Sequence, residues 1–139
     1  MSKAGEGGEQ EITSPVDVNG SIALVATLYF DTNVHNAVRS PDSGQIKLIA
    51  EQLIASESII ELHGHTDKQG DKATNITLSR DRAEYVKNLL VESGVASERI
   101  IIKAHDYSRP AVQEVDEKSR SKNRRVEVMI RKPKGSIAP

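Results

Sequence analysis

Apolar segments with the period of a β-strand alternate along this chain with segments that have the period of an α-helix. Ser21–Phe30 is almost continuously apolar and β-branched, which predicts a strand covered on both faces. Ser43–Ala55 places apolar residues three and four positions apart, which predicts an amphipathic helix. Ser58–His65 predicts a second strand, with Ile60 and Leu62 on one face and Ile59, Glu61, His63 and His65 on the other.

The second half of the chain repeats this alternation. Asn75–Ser93 predicts a second helix, with Asn75 or Thr77 as its N-cap and Gly94 as its left-handed stop. Two strands follow: Arg99–Lys103 and Arg125–Ile130, the latter with its valines directed inward. Two β-α-β units and a closing strand predict an α/β (α+β) sandwich, with the helices packed on one face of a small mixed sheet.

Length and local composition suggest how the 139 residues are divided. Residues 1–20 are polar and rich in Gly and Pro, so we expect a flexible leader or linker there, and a disordered tail at 132–139. One domain is then expected at 21–131. The first ten residues contain no apolar stretch typical of an export signal, and no run approaches the ~18 apolar residues of a membrane-spanning helix.

Composition removes several classes of function. The absence of cysteine excludes thiolate catalysis, disulfides and cysteine-based zinc sites. The formal net charge of −1 gives no general attraction for nucleic acid, and an aromatic content of 3% argues against base stacking. No G-x-S-x-G elbow or glycine-rich phosphate loop is present, so we expect neither enzymatic activity nor a cofactor.

Two opposite charges are the strongest candidates for a binding site. Asp67 follows a predicted strand and Arg82 lies in the first turns of the next helix, where α/β proteins form binding crevices. The carboxylate suits an ammonium group and the guanidinium suits a carboxylate. Together they predict a ligand that carries both groups on one carbon, as a free amino acid does. The alternative is an internal salt bridge between the two residues.

Four motifs in this order resemble the OmpA-like peptidoglycan-binding domain of OmpA C-terminal regions, Pal lipoproteins and MotB-type stator proteins. They are F-D-T-N at 30–33, G-H-T-D at 64–67, N-x-x-L-S-x-x-R-A at 75–83 and N-R-R-V at 123–126. The resemblance covers about residues 22–131. It implies a β-α-β-α-β-β fold in the periplasm or cell envelope of a Gram-negative bacterium.

The resemblance also implies a ligand and a set of site residues. The ligand would be the diaminopimelate of a peptidoglycan stem peptide, with Asp67 holding its ammonium group and Arg82 its carboxylate. Further residues are implied to line or support the site: Thr32, Asn33, Thr66, Asn75, Leu78, Asn123 and Arg124. His65 would support the turn. A homodimer or other envelope proteins stay open as partners, and membrane contact is expected only through parts outside this chain.

The segment Lys103–Pro110 departs from the family pattern, because it lacks the family's glycine pair. This departure leaves an alternative function open: an OmpA-like domain that has lost wall binding and mediates protein–protein assembly.

Two further patterns have ordinary explanations. His63, His65 and Asp67 share one strand face at a spacing that zinc would accept, yet support of the turn is the expected role. Residues 117–134 are rich in Lys and Arg without aromatic residues, which is typical of a solvated surface rather than of a nucleic-acid site. We therefore expect neither a metal nor a nucleic-acid partner.

Overall fold

A computed structural model describes residues 22–39 and 43–131. The described elements are β1 (Ile22–Tyr29), α1 (Ser43–Ser56), β2 (Ile59–Gly64), α2 (Lys72–Glu92), β3 (Ile100–Ala104), α3 (Glu117–Asn123) and β4 (Arg125–Arg131). The strands form one sheet in the order β1-β4-β2-β3, in which β4 is antiparallel to both neighbours and β2 is parallel to β3. The predicted α/β fold is confirmed. The expected leader 1–20 and tail 132–139 lie outside the described residues.

A single apolar core lies between the helices and one face of the sheet. The sheet contributes alternate residues of its strands, among them Leu28, Ile60, Leu62, Val126 and Val128, all fully buried. The helices contribute residues at spacings of three and four: Ile46, Ile49, Ala50 and Leu53 from α1, and Ala83, Val86 and Leu90 from α2. The predicted inward positions of β2 and β4 are therefore confirmed.

The first strand differs from its prediction. Within the described residues β1 pairs only with β4, at one edge of the sheet, and several of its side chains are exposed or partly exposed, so it is not covered on both faces. Leu24 is 46% exposed, and a register shift between Leu24 and Ala26 interrupts the pairing. The prediction of a strand covered on both faces was wrong because a short apolar sequence does not distinguish a central strand from an edge strand.

The start of α2 also differs from its prediction. The helix begins at Lys72, and its N-cap is Asp71, whose Oδ1 accepts a hydrogen bond from the Thr74 amide at 2.7 Å. The predicted cap Asn75 lies inside the first turns, where its side chain donates to the Gln69 carbonyl. The first turn has no apolar residue facing the core, so the apolar period begins later than the helix does. The predicted stop is confirmed, because Gly94 has a φ of +107° and Val95 is buried.

A short third helix, α3, precedes β4 and was not predicted. Asp116 caps it in a capping box, with its carboxylate accepting from the Ser119 amide. Its exposed, highly charged sequence carries almost no apolar period from which a helix could be predicted. Within the described ranges, no helix has both the length and the apolar character needed to cross a bilayer.

Candidate ligand-binding site

The polarity of the buried residues changes along α2, and this change positions the site. The buried residues of this helix are polar in the first half, at Asn75, Ser79 and Arg82, and apolar afterwards. The apolar half packs on the core, so the polar half is held at the end of the sheet where β2 terminates. This is the edge at which open α/β sheets bind ligands.

Gly64, the last residue of β2, lets the helix backbone approach the strand. A Cβ at this position would lie 2.0 Å from the Ser79 carbonyl oxygen, which is closer than any real contact. The glycine of the G-H-T-D motif is therefore required by packing. It brings the residues that follow β2 directly against the polar half of α2.

Arg82 is fully buried and ties three separate backbone segments together. Its Nε donates to the Val34 carbonyl at 2.8 Å, its Nη1 to His65 at 3.0 Å and its Nη2 to Asp31 at 2.9 Å. Burial lowers the pKa of Arg82 to about 10, and the nearby Asp67 carboxylate partly opposes this shift. The side chain is therefore cationic at neutral pH.

Asp67 lies nearby but bonds to a different arginine. Its Oδ2 accepts from Arg124 Nη1 at 2.9 Å, and its Oδ1 accepts from the Gln69 amide at 3.0 Å. The side chain is almost fully buried. The salt bridge with Arg82, which the sequence left open, is not formed.

Arg124 connects Asp67 to two other elements. Its Nε donates to the Phe30 carbonyl, and its Nη2 donates to the Glu117 carboxylate at 2.6 Å. Burial alone would lower the pKa of Arg124, but the two carboxylates raise it above its usual value. Arg124 thus fixes the loop after β2 to the end of β1 and to the start of α3.

The remaining predicted residues fall into two groups. Thr32 and Asn33 are exposed in the turn after β1, and Asn33 has a φ of +59°, which is unusual for a residue with a side chain. Thr66 and Asn75 are buried, and the Thr66 amide donates to the Asp106 carbonyl. These residues therefore shape the site from opposite sides.

Asn123 is a structural brace away from Asp67 and Arg82. It is fully buried, its Oδ1 accepts from the amides of Ala111 and Val112, and its Nδ2 donates to the Val112 carbonyl and to Glu114. These bonds hold the loop before α3.

An open cleft of about 520 Å³ lies between the turn after β1 and the first half of α2. Its lining residues are Asn33, Ala73, Thr74, Thr77, Leu78 and Asp81. Of the predicted residues, the structure brings only Asn33 and Leu78 to this cleft. Asp67 and Arg82 do not line it.

The loop that lacks the family's glycines keeps a backbone conformation that favours glycine. Asp106 has a φ of +49°, and its amide donates to Ser79 Oγ at 3.1 Å. Its buried Oδ1 has no hydrogen-bond partner among the described residues, and neither do Thr66 Oγ1 and His65 Nδ1. The loop is thus accommodated at the cost of strain and of unpaired polar atoms.

His63 in β2 and His65 immediately after it belong to a polar network on the sheet face away from the helices. His63 Nε2 donates to Glu61 at 2.8 Å, and His65 Nε2 donates to Glu127 at 3.1 Å. Asp67 instead bonds Arg124, so the three residues with metal-like spacing do not converge. Across residues 22–39 and 43–131, no three His, Asp or Glu side chains are arranged to hold a metal ion.

Two residues with a role at the site were not found from the sequence. Asp81 lines the cleft, whereas Asp67 does not. Glu117 was counted only as part of a charged surface, yet it bonds Arg124. The four-residue spacing of Ala73, Thr77 and Asp81 could have placed Asp81 on the cleft side of α2, but nothing local indicates the bond of Glu117.

Comparison with known proteins agrees with this fold. The chain is 35% identical to outer membrane porin F of Pseudomonas fluorescens over 118 residues, which are 84% of this chain and 35% of that protein. It is 35% identical to the peptidoglycan-associated lipoprotein of Buchnera aphidicola over 100 residues, which are 71% of this chain and 57% of that protein. The chain therefore spans from about a third to somewhat over half of these relatives.

A solved structure extends the likeness to three dimensions. The crystal structure of the peptidoglycan-associated lipoprotein from Burkholderia pseudomallei has a TM-score of 0.67 and 26% identity, covering 76% of this chain and 89% of that chain. The sequence itself matches the OmpA family over residues 29–124, which include Asp67, Arg82 and Arg124. The chain belongs to the OmpA family.

Proposed function

We propose that this chain binds peptidoglycan without forming a covalent bond and thereby anchors an envelope protein or assembly to the cell wall. Two of the similar proteins are named peptidoglycan-associated lipoproteins, and the third is named an outer membrane porin. In this proposal the chain acts in the periplasm of a Gram-negative bacterium, and its function is binding rather than catalysis.

The ligand group in this proposal is the free amino-acid end of diaminopimelate, which carries an ammonium and a carboxylate on one carbon. The observation that carries it is the pair Asp67 and Arg82, held near each other at one end of the sheet but not bonded to each other. Each keeps capacity for a ligand. Arg82 uses three nitrogen donors of a group with five N–H bonds, and each Asp67 oxygen accepts one bond.

The other predicted residues have supporting roles in this proposal. Arg124 positions Asp67, and Asn75 fixes the loop between Asp67 and α2 through Gln69. Asn33 and Leu78 form opposite walls of the cleft. Thr66 directly precedes Asp67, Thr32 lies between Asp31 and Val34, whose carbonyls bond Arg82, and Asn123 braces the neighbouring loop.

Binding through Arg82 requires a local movement. The guanidinium is covered by the turn whose Asp31 and Val34 carbonyls it bonds, so a ligand carboxylate reaches it only when that turn shifts. The turn lies on the surface, with Thr32 and Asn33 exposed. A carboxylate would then replace carbonyl groups with a charged partner of greater strength.

Co-sedimentation with purified peptidoglycan tests the proposal. Asp67→Asn should weaken binding by about 10- to 100-fold, because a charge-assisted hydrogen bond contributes about 1.5–3 kcal/mol. Glu84→Gln, on the exposed side of α2, removes the same charge and should bind like the wild type. Equal binding by the wild type and Asp67→Asn would contradict the assignment of Asp67.

Changing the ligand tests Arg82 without a substitution in the protein. Arg82→Lys loses bonds to two or more carbonyls, so a binding defect could arise from a disturbed turn. Peptidoglycan with an amidated diaminopimelate carboxylate, or with lysine in its place, should bind the wild type weakly. If all three materials bind the wild type equally, diaminopimelate recognition is wrong. If none binds, wall binding itself is wrong, and the alternative of protein–protein assembly is favoured.

A further inference from the structure

A second carboxylate at this site is more accessible than the one that the motifs indicate. Asp67 is almost fully buried, and both of its oxygens already accept hydrogen bonds. Asp81 is partly exposed and lines the cleft of about 520 Å³. It forms no hydrogen bond or ion pair with any residue in the described part of the chain.

The cleft has one charge among otherwise uncharged groups. Ala73, Thr77 and Asp81 follow one another at four-residue intervals along α2, so their side chains form one stripe. Two threonine hydroxyls, the Asn33 amide and the Leu78 side chain complete the lining. Such a lining suits an aliphatic chain that carries amide groups and one cationic group.

The turn after β1, which forms the other wall of the cleft, is fixed by hydrogen bonds from Arg82. Arg82 bonds the carbonyls of Asp31 and Val34, which flank the turn containing Asn33. Asn33 is in turn fixed in a left-handed conformation at φ +59°. The distance across the cleft is therefore set by the same helix that carries Asp81, because Asp81 and Arg82 are adjacent in α2.

We infer that Asp81 is a second carboxylate of this site, which attracts the ammonium group of the ligand in the cleft in addition to the contact proposed for Asp67. The inference rests on the proposed function and extends it to a residue at an unspecified position of the motif 75–83. An acylated amine has no charge and two fewer N–H bonds than the ammonium group, so Asp81 favours a free amine over an acylated one. Asp81 thus contributes to selection of stem peptides that are not cross-linked through this amine.

The test uses the stem tripeptide L-Ala-γ-D-Glu-meso-diaminopimelate and the same peptide acetylated on its distal amine. Affinities for the 139-residue chain are measured by NMR titration at low and high salt. Asp81→Asn should bind the free-amine peptide at least fivefold more weakly than the wild type, and the acetylated peptide with unchanged affinity. The loss should shrink at high salt, because part of the attraction is Coulombic.

Glu84→Gln is the matched control, since it removes one carboxylate from the exposed side of the same helix. It should bind both peptides within twofold of the wild type. Thermal unfolding of each protein shows whether it is folded, and Asp81→Ser serves as a second variant.

The outcomes separate this inference from the proposal on which it rests. If the wild type binds the free-amine peptide and Asp81→Asn matches Glu84→Gln, only the role of Asp81 is overturned. An equal loss for both peptides would assign Asp81 to the shape of the cleft rather than to the amine, which also overturns it. If the wild type binds neither peptide, diaminopimelate recognition fails and the role of Asp81 fails with it.

Discussion

The two faces of the sheet bury their side chains by different means. On the helix-covered face, Leu62 and Val128 are neighbours in the apolar core. On the other face, the next residues of the same strands, His63 and Glu127, are equally buried but polar. Burial on the first face follows from packing alone, whereas on the second face each buried charge depends on a partner.

The polar face forms a connected network. Glu127 accepts from His65 and Arg125, while Glu61 accepts from His63 and Arg131. His105 lies beside His63, with a 2.7 Å separation between their ring nitrogens. Burial on this sheet therefore does not require an apolar residue, because polar residues occupy buried positions on the face away from the helices. The substitutions below test the two faces separately.

The largest effect is expected on the helix-covered face, at Gly64. Gly64→Ala forces a methyl group into the Ser79 backbone, and we expect a loss of at least about 3 kcal/mol in the free energy of unfolding. Urea denaturation measures this. Gly70→Ala is the control for backbone strain without a steric clash, because Gly70, unlike Gly64, has an unusual φ of +88° and its Cβ would meet nothing closer than 3.8 Å. Equal losses would show that close packing does not limit this face.

On the polar face, we expect Glu127→Ala to cost about 3–5 kcal/mol, because Arg125 is then left buried without its carboxylate. The double variant Arg125→Met with Glu127→Leu should recover a large part of this loss, since it removes both charges. Denaturation of the single and double variants measures the coupling. A double variant less stable than Glu127→Ala would mean that the polar face is stabilised by more than mutual pairing.

The pH dependence of stability should also distinguish the faces. Burial lowers the pKa of His65 to about 4 and that of His105 to about 3, whereas an unfolded histidine titrates near 6.5. Between these values the unfolded chain binds more protons, so stability is greatest above pH 6.5 and falls as the pH decreases towards 4. We expect a loss of roughly 2–4 kcal/mol from pH 7 to pH 5, about 2 kcal/mol for each histidine at most.

Leu62→Ala supplies the comparison for this pH effect. It weakens the apolar face by a similar amount at every pH, so its stability curve should run parallel to that of the wild type. A wild-type stability that is constant from pH 7 to pH 5 would contradict the assignment of neutral buried histidines.

The smallest effect is expected at Asp106, which lies two residues after the end of β3 and bonds Ser79 of α2 through its amide. At a φ of +49°, alanine should be about 1 kcal/mol less stable than glycine, so Asp106→Ala should melt below Asp106→Gly. Calorimetry of the two variants measures the difference. Identical melting temperatures would mean that the loop relaxes and that the family's glycines are not needed for its shape.

Much of this fold could be predicted because its signals are local. The apolar alternation of β2 and β4 and the stop at Gly94 depend on neighbouring residues alone. The edge position of β1 could not be predicted, since it depends on which strand β4 joins. The early start of α2 was missed because Asp71 precedes a turn without apolar period.

The candidate site was predictable in its members but not in its bonds. The motifs brought Asp67 and Arg82 to one end of the sheet, as expected from their places after β2 and in α2. The partners of Arg82 are carbonyl groups, which carry no sequence signal, and the partner of Asp67 lies 57 positions away. Asp81 was missed because it occupies a position of the motif 75–83 at which the motif specifies no residue.

The position of β4 has a consequence for how the protein is made. This last strand lies between β1 and β2, and Arg124 immediately before it supplies the partner of Asp67. The ribosome synthesises the chain from its N-terminus, so β1 and β2 are made before β4. They lack the strand that joins them until residue 124 and β4 after it emerge. The site therefore assembles late in synthesis. A chain that terminated before residue 124 would lack β4, which lies between β1 and β2, and would also lack Arg124, which bonds Asp67.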